Sequence, residues 1–433
     1  MSMITMKRRT ALLGTVMLGF LAGAPANAQT TIDFYYPIQV GGPLTKVVDG
    51  YISKFMEANP GIKVNAVYSG NYTDTTTKAL TAAKSGAPPA LAVLLATDIF
   101  TLIDEDVVEP VGTYIKTDAD RAWLAGFMPA YLKSAQVGGK LWSVPFQRST
   151  AVLYYNKDVF ASAGLDPNKP PKTWAEMVAA GKAVLQKDAS GKVTRWGVGI
   201  PGNIGSSQWL FGALVAQNGG RLMNDDGTET YLTDQKVVDA LQFWVDLSVK
   251  EGVHPPGIQE WGTTPQDFLE QRIAMVWTTT GNLTNISRNA TFKFGLAPYP
   301  GNPKPASVLG GGNLYIFKKA PDAQKEAAFK LTKFLTTDEL QADWAIQTGY
   351  VAPRDGAWDV PVLKEYTAKV PDALVAKNQI PDSVPEFSTY ESARTTRILN
   401  DALSAALTGS KTPRQALTEA QAAIDRILRP YRR

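Results

Sequence analysis

Residues 141–160 read LWSVPFQRSTAVLYYNKDVF, and the interpretation of the whole chain starts from this stretch. Apolar and polar residues alternate over 142–147, which is typical of a β-strand. Four polar residues, 147–150, follow before an apolar run at 151–155. Because adjacent polar side chains are costly in a buried strand, we expect the strand to break here. The patch is either a surface loop or a crossing between two lobes that offers polar groups to a ligand, and we favour the crossing.

The length of the chain favours two α/β lobes, and its balanced charge argues against a nucleic-acid partner. The chain has 433 residues, more than one small core requires. It contains 44 Lys and Arg residues against 40 Asp and Glu residues. A nucleic-acid-binding protein would show a clustered basic excess, so we expect no nucleic-acid partner. We also expect the protein to be a monomer.

The first 28 residues are typical of a secretory signal peptide. A basic segment at 7–9 precedes an apolar run at 11–24, and small residues at 26–28 predict cleavage after Ala28. The two adjacent arginines also fit a twin-arginine signal, but we favour the ordinary export route. The chain has no cysteine, which excludes disulfides and a thiol for a lipid anchor. Together these features predict a periplasmic protein.

Strands and helices alternate after the signal peptide. The predicted elements are strands at 32–36, 62–66 and 90–95 and helices at 44–58 and 72–85. This order favours a parallel, doubly wound sheet with right-handed crossovers. Ligands of such sheets bind beyond the carboxyl ends of the strands. The loops at 70–72 and 96–98 are therefore candidate walls of a site.

A second polar patch, Thr-Thr-Thr-Gly at 278–281, follows an apolar strand predicted at 273–277. We interpret it as a second crossing. Other predicted elements are helices at 173–186, 209–216 and 234–250 and strands at 197–200, 292–297 and 313–317. Three glycines, 310–312, precede the last strand and either cradle a phosphate or form a bend where strands change lobe.

The sequence offers little support for catalysis. Its only histidine, His254, lies in a Val-His-Pro-Pro-Gly turn without neighbouring metal ligands. The patterns HExxH, GxSxG and GxxxxGK[ST] are absent from the sequence, and the sequence lacks the strand–turn–helix context in which a GxGxxG pattern binds a nucleotide, so nucleotide binding is disfavoured. A carboxylate pair for glycoside cleavage stays open. We expect no enzyme, no metal and no cofactor, with a periplasmic hydrolase as the alternative from another functional class.

Several aromatic residues fall near predicted strand ends or loops. They are Tyr35, Tyr36, Tyr72, Trp209, Trp277 and Tyr350. Each one alone is more typical of a core than of a site. Together they suit a sugar or polyol, because aromatic faces pack on CH groups and tyrosine hydroxyls bind hydroxyl partners.

Four segments resemble a known family. They are YTDTTTKALTAAKSGAPPAL (72–91), VPFQRSTAVLYYNKDVF (144–160), AMVWTTTGNLTNI (274–286) and DWAIQTGYVAPR (343–354). They are similar to the extracellular solute-binding proteins of ABC importers, in particular those that bind glycerol 3-phosphate. The resemblance implies an α/β fold of the type II periplasmic binding proteins, with two lobes hinged by crossing segments. Each lobe would be a doubly wound sheet with helices on both faces.

The resemblance also implies lobe boundaries and ligand-contacting positions. We expect lobe 1 to comprise 29–146 and about 279–345, and lobe 2 to comprise 147–278 and about 346–433. The positions that match ligand contacts of the family are Tyr72, Ser149, Thr279, Gly311 and Tyr350. Trp209 and Thr97, at the start of a predicted helix and in a predicted wall loop, are further candidates.

The sequence departs from the family at two positions. Ala96 stands where the family has a glutamate for glycerol hydroxyls, and Thr396 stands where an arginine meets the phosphate. Arg148 or Arg397 would supply the charge that a phosphate favours. If neither points inward, the site is neutral and suits a sugar or polyol.

The expected function is therefore transport. The ligand would be glycerol 3-phosphate or a glycerophosphodiester, with a neutral sugar or polyol as the alternative. The protein partner would be the membrane permease of the importer, to which the ligand is delivered unchanged.

Overall fold

The structure, a computed structural model, describes residues 29–203 and 207–432. The predicted signal peptide and its cleavage site lie outside the described residues. The strands are β1 (Thr30–Tyr36), β2 (Ile62–Tyr68), β3 (Leu91–Leu95), β4 (Val108–Glu109), β5 (Gln136–Val137), β6 (Lys140–Leu141), β7 (Val144–Asn156), β8 (Gln186–Lys187), β9 (Val193–Gly199), β10 (Ile273–Thr279), β11 (Phe294–Ala297), β12 (Ser307–Phe317) and β13 (Ser383–Val384).

Helices cover the sheet and form most of the C-terminal third. They are α1 (Leu44–Ala58), α2 (Tyr72–Lys84), α3 (Ile99–Asp104), α4 (Asp118–Ala125), α5 (Pro129–Lys133), α6 (Lys157–Ser162), α7 (Trp174–Val184), α8 (Ser207–Gln217), α9 (Gln235–Val249), α10 (Thr264–Leu269), α11 (Leu283–Asn289), α12 (Asp322–Leu335), α13 (Asp338–Thr348), α14 (Pro361–Lys369), α15 (Ala373–Asn378), α16 (Ser392–Leu407) and α17 (Pro413–Leu428). Within the described residues, no helix combines the length and hydrophobicity needed to cross a membrane.

The first part of the chain folds as its alternating pattern predicts. Strand β1 pairs in parallel with β2 on one side and with β3 on the other. Helix α1 begins and ends where the apolar stripe predicts, and it buries Leu44, Val48, Tyr51, Ile52 and Phe55. This confirms the parallel, doubly wound arrangement of the first lobe.

The strand at the centre of the chain does not break. Strand β7 runs through thirteen residues, all of them buried, so the expected interruption at 147–150 is wrong. The polar patch stays in the strand because other elements supply its partners. Tyr72 donates to Gln147 Oε1 at 2.8 Å, and Gln379 Nε2 donates to Thr150 Oγ1 at 2.5 Å.

The hydrogen-bonded sheet continues from one lobe to the other through β7 and β12. Strand β12 is antiparallel to β3 in the first lobe, while β10 and β11 pair with the second half of β7. Between them, β12 and β7 pair directly over Leu309–Gly312 and 147–150. The strand order is β2-β1-β3-β12-β7-β10-β9-β8.

This strand pairing puts the second crossing at β12 and not at 278–281, where the sequence predicted it. The patch at 278–281 ends β10 and leads through α11 into β11, which pairs with 153–156 of β7 again. The chain therefore stays beside the second half of β7 and passes between the lobes along β12 instead. The lobe boundaries stated above stay a prediction, and the pairing favours placing 280–306 in lobe 2.

Separate hydrophobic clusters lie on the two sides of the crossing strands. Phe34, Phe55 and Trp344 belong to one of them, and Leu214, Trp244 and Trp277 belong to the largest. Two of the candidate aromatics are core residues, since Tyr36 stacks on Phe34 and Trp277 stacks on Tyr299 with ring centroids 3.9 Å apart. A third, Tyr35, is partly buried and packs against a further cluster beside β3. The polar groups of a binding site therefore have to come from the surfaces between the clusters.

Candidate ligand-binding site

A cavity of about 170 Å³ lies between the lobes, against the crossing strands. We call it the main cavity. The first lobe contributes Gln39, Asn71, Tyr72, Thr73 and Leu95. Helix α8 and the loops before it and before α10 contribute Trp209, Asn203 and Trp261. Ser149, Thr279, Gly311, Tyr350 and Glu386 complete the lining.

Helix α2 places Tyr72 at the cavity. Asn71 caps the helix by accepting a hydrogen bond from the Asp74 backbone N–H, and the Asp74 carboxylate accepts one from the Asn71 N–H. This reciprocal cap fixes the first turn, where Tyr72 is the first residue. Burial raises the pKa of the Tyr72 hydroxyl, which keeps the group protonated and able to donate.

Tyr350 reaches the cavity from the end of helix α13. Gly349 ends this helix in the left-handed conformation, with φ of 98°, and turns the chain towards the cleft. The Tyr350 ring lies nearly parallel to Trp344, with the ring centroids 6.0 Å apart. Burial raises the pKa of Tyr350, so its hydroxyl also stays protonated. The aromatic stack holds a hydroxyl donor at the cavity wall.

Ser149 and Thr279 lie on the same face of the sheet. Thr279 pairs with Ala151, and Ser149 precedes Ala151 by two residues on β7, so the two side chains point the same way. The Thr279 oxygen accepts a hydrogen bond from the Gly281 backbone N–H at 3.1 Å. The Thr279 hydroxyl donates no hydrogen bond to another described residue, so its proton is available to a ligand acceptor.

Two tryptophans form an apolar wall. Trp209 and Trp261 meet edge to face, with centroids 5.7 Å apart and an interplanar angle of 64°. Trp209 Nε1 donates to the Leu309 carbonyl at 3.2 Å. Trp261 Nε1 donates to the Gln39 carbonyl at 3.4 Å and so joins the two lobes. Such a wall suits the CH faces of a sugar or polyol.

Gly311 pairs with Arg148 where the backbones of β12 and β7 leave no room for a side chain. Its φ is 103°, and a Cβ atom there would lie 1.9 Å from the Gln147 carbonyl oxygen. The glycines at 310–312 pair with 147–149 of β7. This pairing supports the interpretation of the glycines as a bend between lobes.

Comparison with known proteins identifies the family. Residues 50–371 match the family model described as bacterial extracellular solute-binding protein. The chain belongs to this family. It is 30% identical over 444 residues to the sn-glycerol-3-phosphate-binding periplasmic protein UgpB of Salmonella typhimurium, with 98% of each chain covered. The protein of the same name from Escherichia coli O1:K1 is 30% identical over 434 residues, with 96% of each chain covered.

Solved structures show the same fold. UgpB from Mycobacterium tuberculosis, in complex with glycerophosphocholine, superposes with a TM-score of 0.82 at 24% identity, covering 93% of this chain and 99% of that one. A solute-binding protein of Thermotoga lettingae with bound α-D-tagatose gives 0.81, also at 24% identity, with coverages of 92% and 100%. Maltose-bound MalE3 of T. maritima gives 0.80, again at 24% identity and the same coverages. The fold is that of a two-lobed type II periplasmic binding protein.

In this solute-binding protein, Arg148 faces away from the main cavity. Strand alternation points it to the opposite face from Ser149. Its Nη1 donates to the Gly311 carbonyl at 3.0 Å and to Asn313 Oδ1 at 3.1 Å, and its guanidinium lies 5.0 Å from the centre of the Tyr131 ring. Arg148 lines a second cavity of about 100 Å³, which we call the second cavity.

Two other candidates also lie away from the main cavity. Thr97 lines the second cavity, and its carbonyl accepts hydrogen bonds from the Ser388 and Ser392 hydroxyls, both at 3.2 Å. The Arg397 side chain is 81% exposed on α16, 3.9 Å from Asp401. The helix turns this position towards solvent, so the structure does not bring Arg397 to either cavity. Of the nine sequence candidates, six line the main cavity.

The most informative lining residue, Glu386, was not found from the sequence. It follows β13 in an irregular segment without a periodic pattern or motif, so nothing in the sequence marked it. Burial raises the pKa of its carboxyl to about 8; the nearby Arg148 opposes this shift and Asp98 adds to it. The lining residues of the main cavity include this carboxyl and no Lys or Arg.

His254 has a structural role. It is buried, its Nε2 accepts a hydrogen bond from the Ile200 N–H at 3.0 Å, and its Nδ1 lies 2.6 Å from the Pro255 carbonyl. Burial lowers its pKa. Among the described residues, no group of three His, Asp or Glu side chains could hold a metal ion.

Proposed function

We propose that this chain is the periplasmic solute-binding component of an ABC importer. The observation that carries the proposal is the convergence of polar side chains from both lobes on one cavity beside the crossing strands. The family and the similar proteins are substrate-binding transport proteins. The protein would act as a monomer without catalysis, and it would pass its ligand unchanged to the membrane permease.

Glycerol 3-phosphate or a glycerophosphodiester is the first candidate ligand. Two similar proteins at 30% identity over nearly their full length are named for binding glycerol 3-phosphate. The hydroxyls of Tyr72, Ser149, Thr279 and Tyr350 suit the glyceryl part of such a ligand. The cavity volume fits a small solute of this size class.

A neutral sugar or polyol is the second candidate. A phosphate is best bound by charge-assisted donors, and the main cavity has no lysine or arginine among its lining residues. The closest guanidinium behind the crossing strands, that of Arg148, already donates to Gly311 and Asn313. The Trp209–Trp261 wall suits an uncharged, hydroxylated ligand.

Ligand binding would close the cleft. Trp261 already reaches Gln39 across it, so the described conformation brings the lobes into contact. A ligand that touches both lobes binds the closed form more tightly and shifts the population towards it. The permease would recognise this closed form.

A thermal-shift screen of the mature protein tests the proposal. The probes are glycerol 3-phosphate, glycerophosphocholine, glycerol, sorbitol, glucose and maltose. A ligand at a hundred times its Kd stabilises the fold by about 2.7 kcal/mol, so a binder raises Tm by several degrees. A rise with the phosphorylated probes only supports the first ligand, and a rise with the neutral probes only supports the second. Turnover of any probe, or no binding at all, would contradict the proposed function.

Replacing Tyr350 by Phe tests the site within the same assay. The ring keeps its stack on Trp344 while the hydroxyl is lost. We expect Kd to rise about fivefold to tenfold with Tm of the free protein nearly unchanged, because one neutral hydrogen bond contributes about 1 kcal/mol. Tyr68→Phe is the matched control, since this side chain is exposed and outside the cavity. An unchanged Kd in Tyr350→Phe would remove Tyr350 from the site.

A further inference from the structure

One buried carboxyl oxygen at the cavities has no hydrogen-bond partner among the described residues. Glu386 lies after β13 and lines both the main cavity and the second cavity. The unpaired atom is its Oε2. Buried side-chain oxygens are rarely left unpaired in native proteins. A partner for this carboxyl is therefore expected from outside the chain.

The nearby positive charge, on Arg148, makes no hydrogen bond to Glu386 Oε2. The Arg148 guanidinium donates to Gly311 and Asn313, and its own Nε is buried without a partner. Arg148 nevertheless attracts the negative charge and lowers the pKa of Glu386, against the opposing effects of burial and Asp98. Burial outweighs this attraction and raises the pKa of Glu386 to about 8, so the ligand-free carboxyl is mostly protonated at neutral pH, and within the described part of the chain its Oε2 atom stays without a hydrogen-bond partner.

The other polar groups around the main cavity indicate what the carboxyl would bind. They are hydroxyls and amides, with no lysine or arginine among them. A protonated carboxyl and a hydroxyl both donate and accept hydrogen bonds. An alcohol fits this combination, because it can donate to the carboxyl oxygen while accepting from Thr279; the Tyr72 proton is already donated to Gln147.

We propose that Glu386 is a ligand-binding residue whose carboxyl group hydrogen-bonds to hydroxyl groups at one end of a polyhydroxylated solute. This inference rests on the proposed function and names the chemistry that this end of the site selects. An anionic group placed there would meet no lysine or arginine among the lining residues of the main cavity. A glycerol phosphate would present its glyceryl hydroxyls to Glu386 and place its phosphate elsewhere.

Calorimetric titration of Glu386 variants tests the inference. Kd is measured for wild type, Glu386→Gln and Glu386→Ala with each probe of the thermal-shift screen that binds wild type. Glu386→Ala removes every hydrogen bond between the carboxyl and the ligand, whereas the amide of Glu386→Gln keeps a donor and an acceptor. We therefore expect Kd to rise about tenfold or more in Glu386→Ala and by an intermediate factor in Glu386→Gln.

The control variant is Glu365→Gln, which removes an exposed carboxylate that pairs with Lys369 on α14. Its Kd should equal that of wild type. The Tm of free Glu386→Gln should be equal to or above that of wild type, since an unpaired buried carboxyl is lost. This result separates a lost ligand contact from a damaged fold.

Two outcomes overturn the inference while the proposed function stands. One is a Kd within twofold of wild type in both Glu386 variants. The other is tighter binding of glycerol 3-phosphate by Glu386→Gln, which would mean that Glu386 only repels the ligand. If wild type binds none of the probes, the proposed function fails and the inference fails with it.

Discussion

At the scale of single residues, strand alternation separates two neighbours that look equivalent in the sequence. Ser149 lies on the cavity side of β7, whereas Arg148 lies on the other side, buried against Tyr131. The choice between a charged and a neutral site therefore depends on the face to which one side chain points. The acidic group that does reach the cavity, Glu386, comes from a distant part of the chain.

Replacing Gly311 by Ala should destabilise the fold. A Cβ atom would overlap the Gln147 carbonyl, and the φ of 103° is unfavourable for any other residue. We expect a loss of at least about 2 kcal/mol in unfolding free energy, because both backbone strain and a backbone clash have to be relieved. Chemical denaturation measures this loss.

The matched control is Gly50→Ala in helix α1, where a Cβ atom meets nothing within 4 Å and φ is helical. This change should leave stability unchanged or raise it by up to about 1 kcal/mol. Equal stabilities of the two variants would show that β7 and β12 can move apart at little cost.

At the scale of elements, the helix caps decide how accurately side chains reach the cavity. Helix α2 begins at Tyr72 itself, and its reciprocal cap between Asn71 and Asp74 fixes that first turn. Helix α17 carries an equivalent cap between Thr412 and Gln415, but none of its residues lines the main cavity. The cap of α2 holds a cavity residue in place and the cap of α17 does not, so removing each cap separates an effect on ligand binding from an effect on stability alone.

Replacing Asp74 by Ala removes half of the cap of helix α2. We expect the unfolding free energy to fall by about 0.5–1 kcal/mol and the ligand Kd to rise severalfold, because Tyr72 loses its fixed position. Gln415→Ala should cost similar stability and leave Kd unchanged. Titration calorimetry and thermal melts of both variants check this pair, and an equal loss of binding in both would contradict a positioning role for the cap.

At the scale of the whole molecule, folding removes the carboxyl groups of Glu386 and Asp98 from water. Burial raises the pKa of Glu386 to about 8 and that of Asp98 to about 6. A raised pKa means that the folded protein holds a proton that the unfolded chain releases. Stability therefore falls as pH rises between the unfolded and folded pKa values of each group.

The pH dependence of Tm is the prediction at this scale. Between about pH 5 and pH 8, ligand-free wild type should lose more stability than Glu386→Gln, and the gap in Tm should grow by a few degrees. Asp98 acts in the same direction in both proteins at the acidic end of this range. Glu365→Gln should follow wild type, because Lys369 lowers the pKa of Glu365 and the group is ionised in both states over this range. Parallel curves for wild type and Glu386→Gln would contradict a protonated buried carboxyl.

Six residues of the cavity wall were named from the sequence, mainly through the family resemblance. The resemblance supplied Tyr72, Ser149, Thr279, Gly311 and Tyr350, and the position of Trp209 near the start of a predicted helix supplied the sixth. All six line the main cavity, and their contact with a ligand stays a prediction. The break predicted in β7 was wrong because the partners of Gln147 and Thr150 come from Tyr72 and Gln379, far away in the chain.

The alternation of strands and helices follows from local residue patterns, and the resemblance to solute-binding proteins points to five of the thirteen described residues that line the main cavity. Three features become visible only once the chain is folded: β12 crosses between the lobes, Arg148 points away from the main cavity, and Glu386 reaches it. These three facts depend on which distant segments pair and which face a strand turns to the cleft. Such choices are settled by packing between elements.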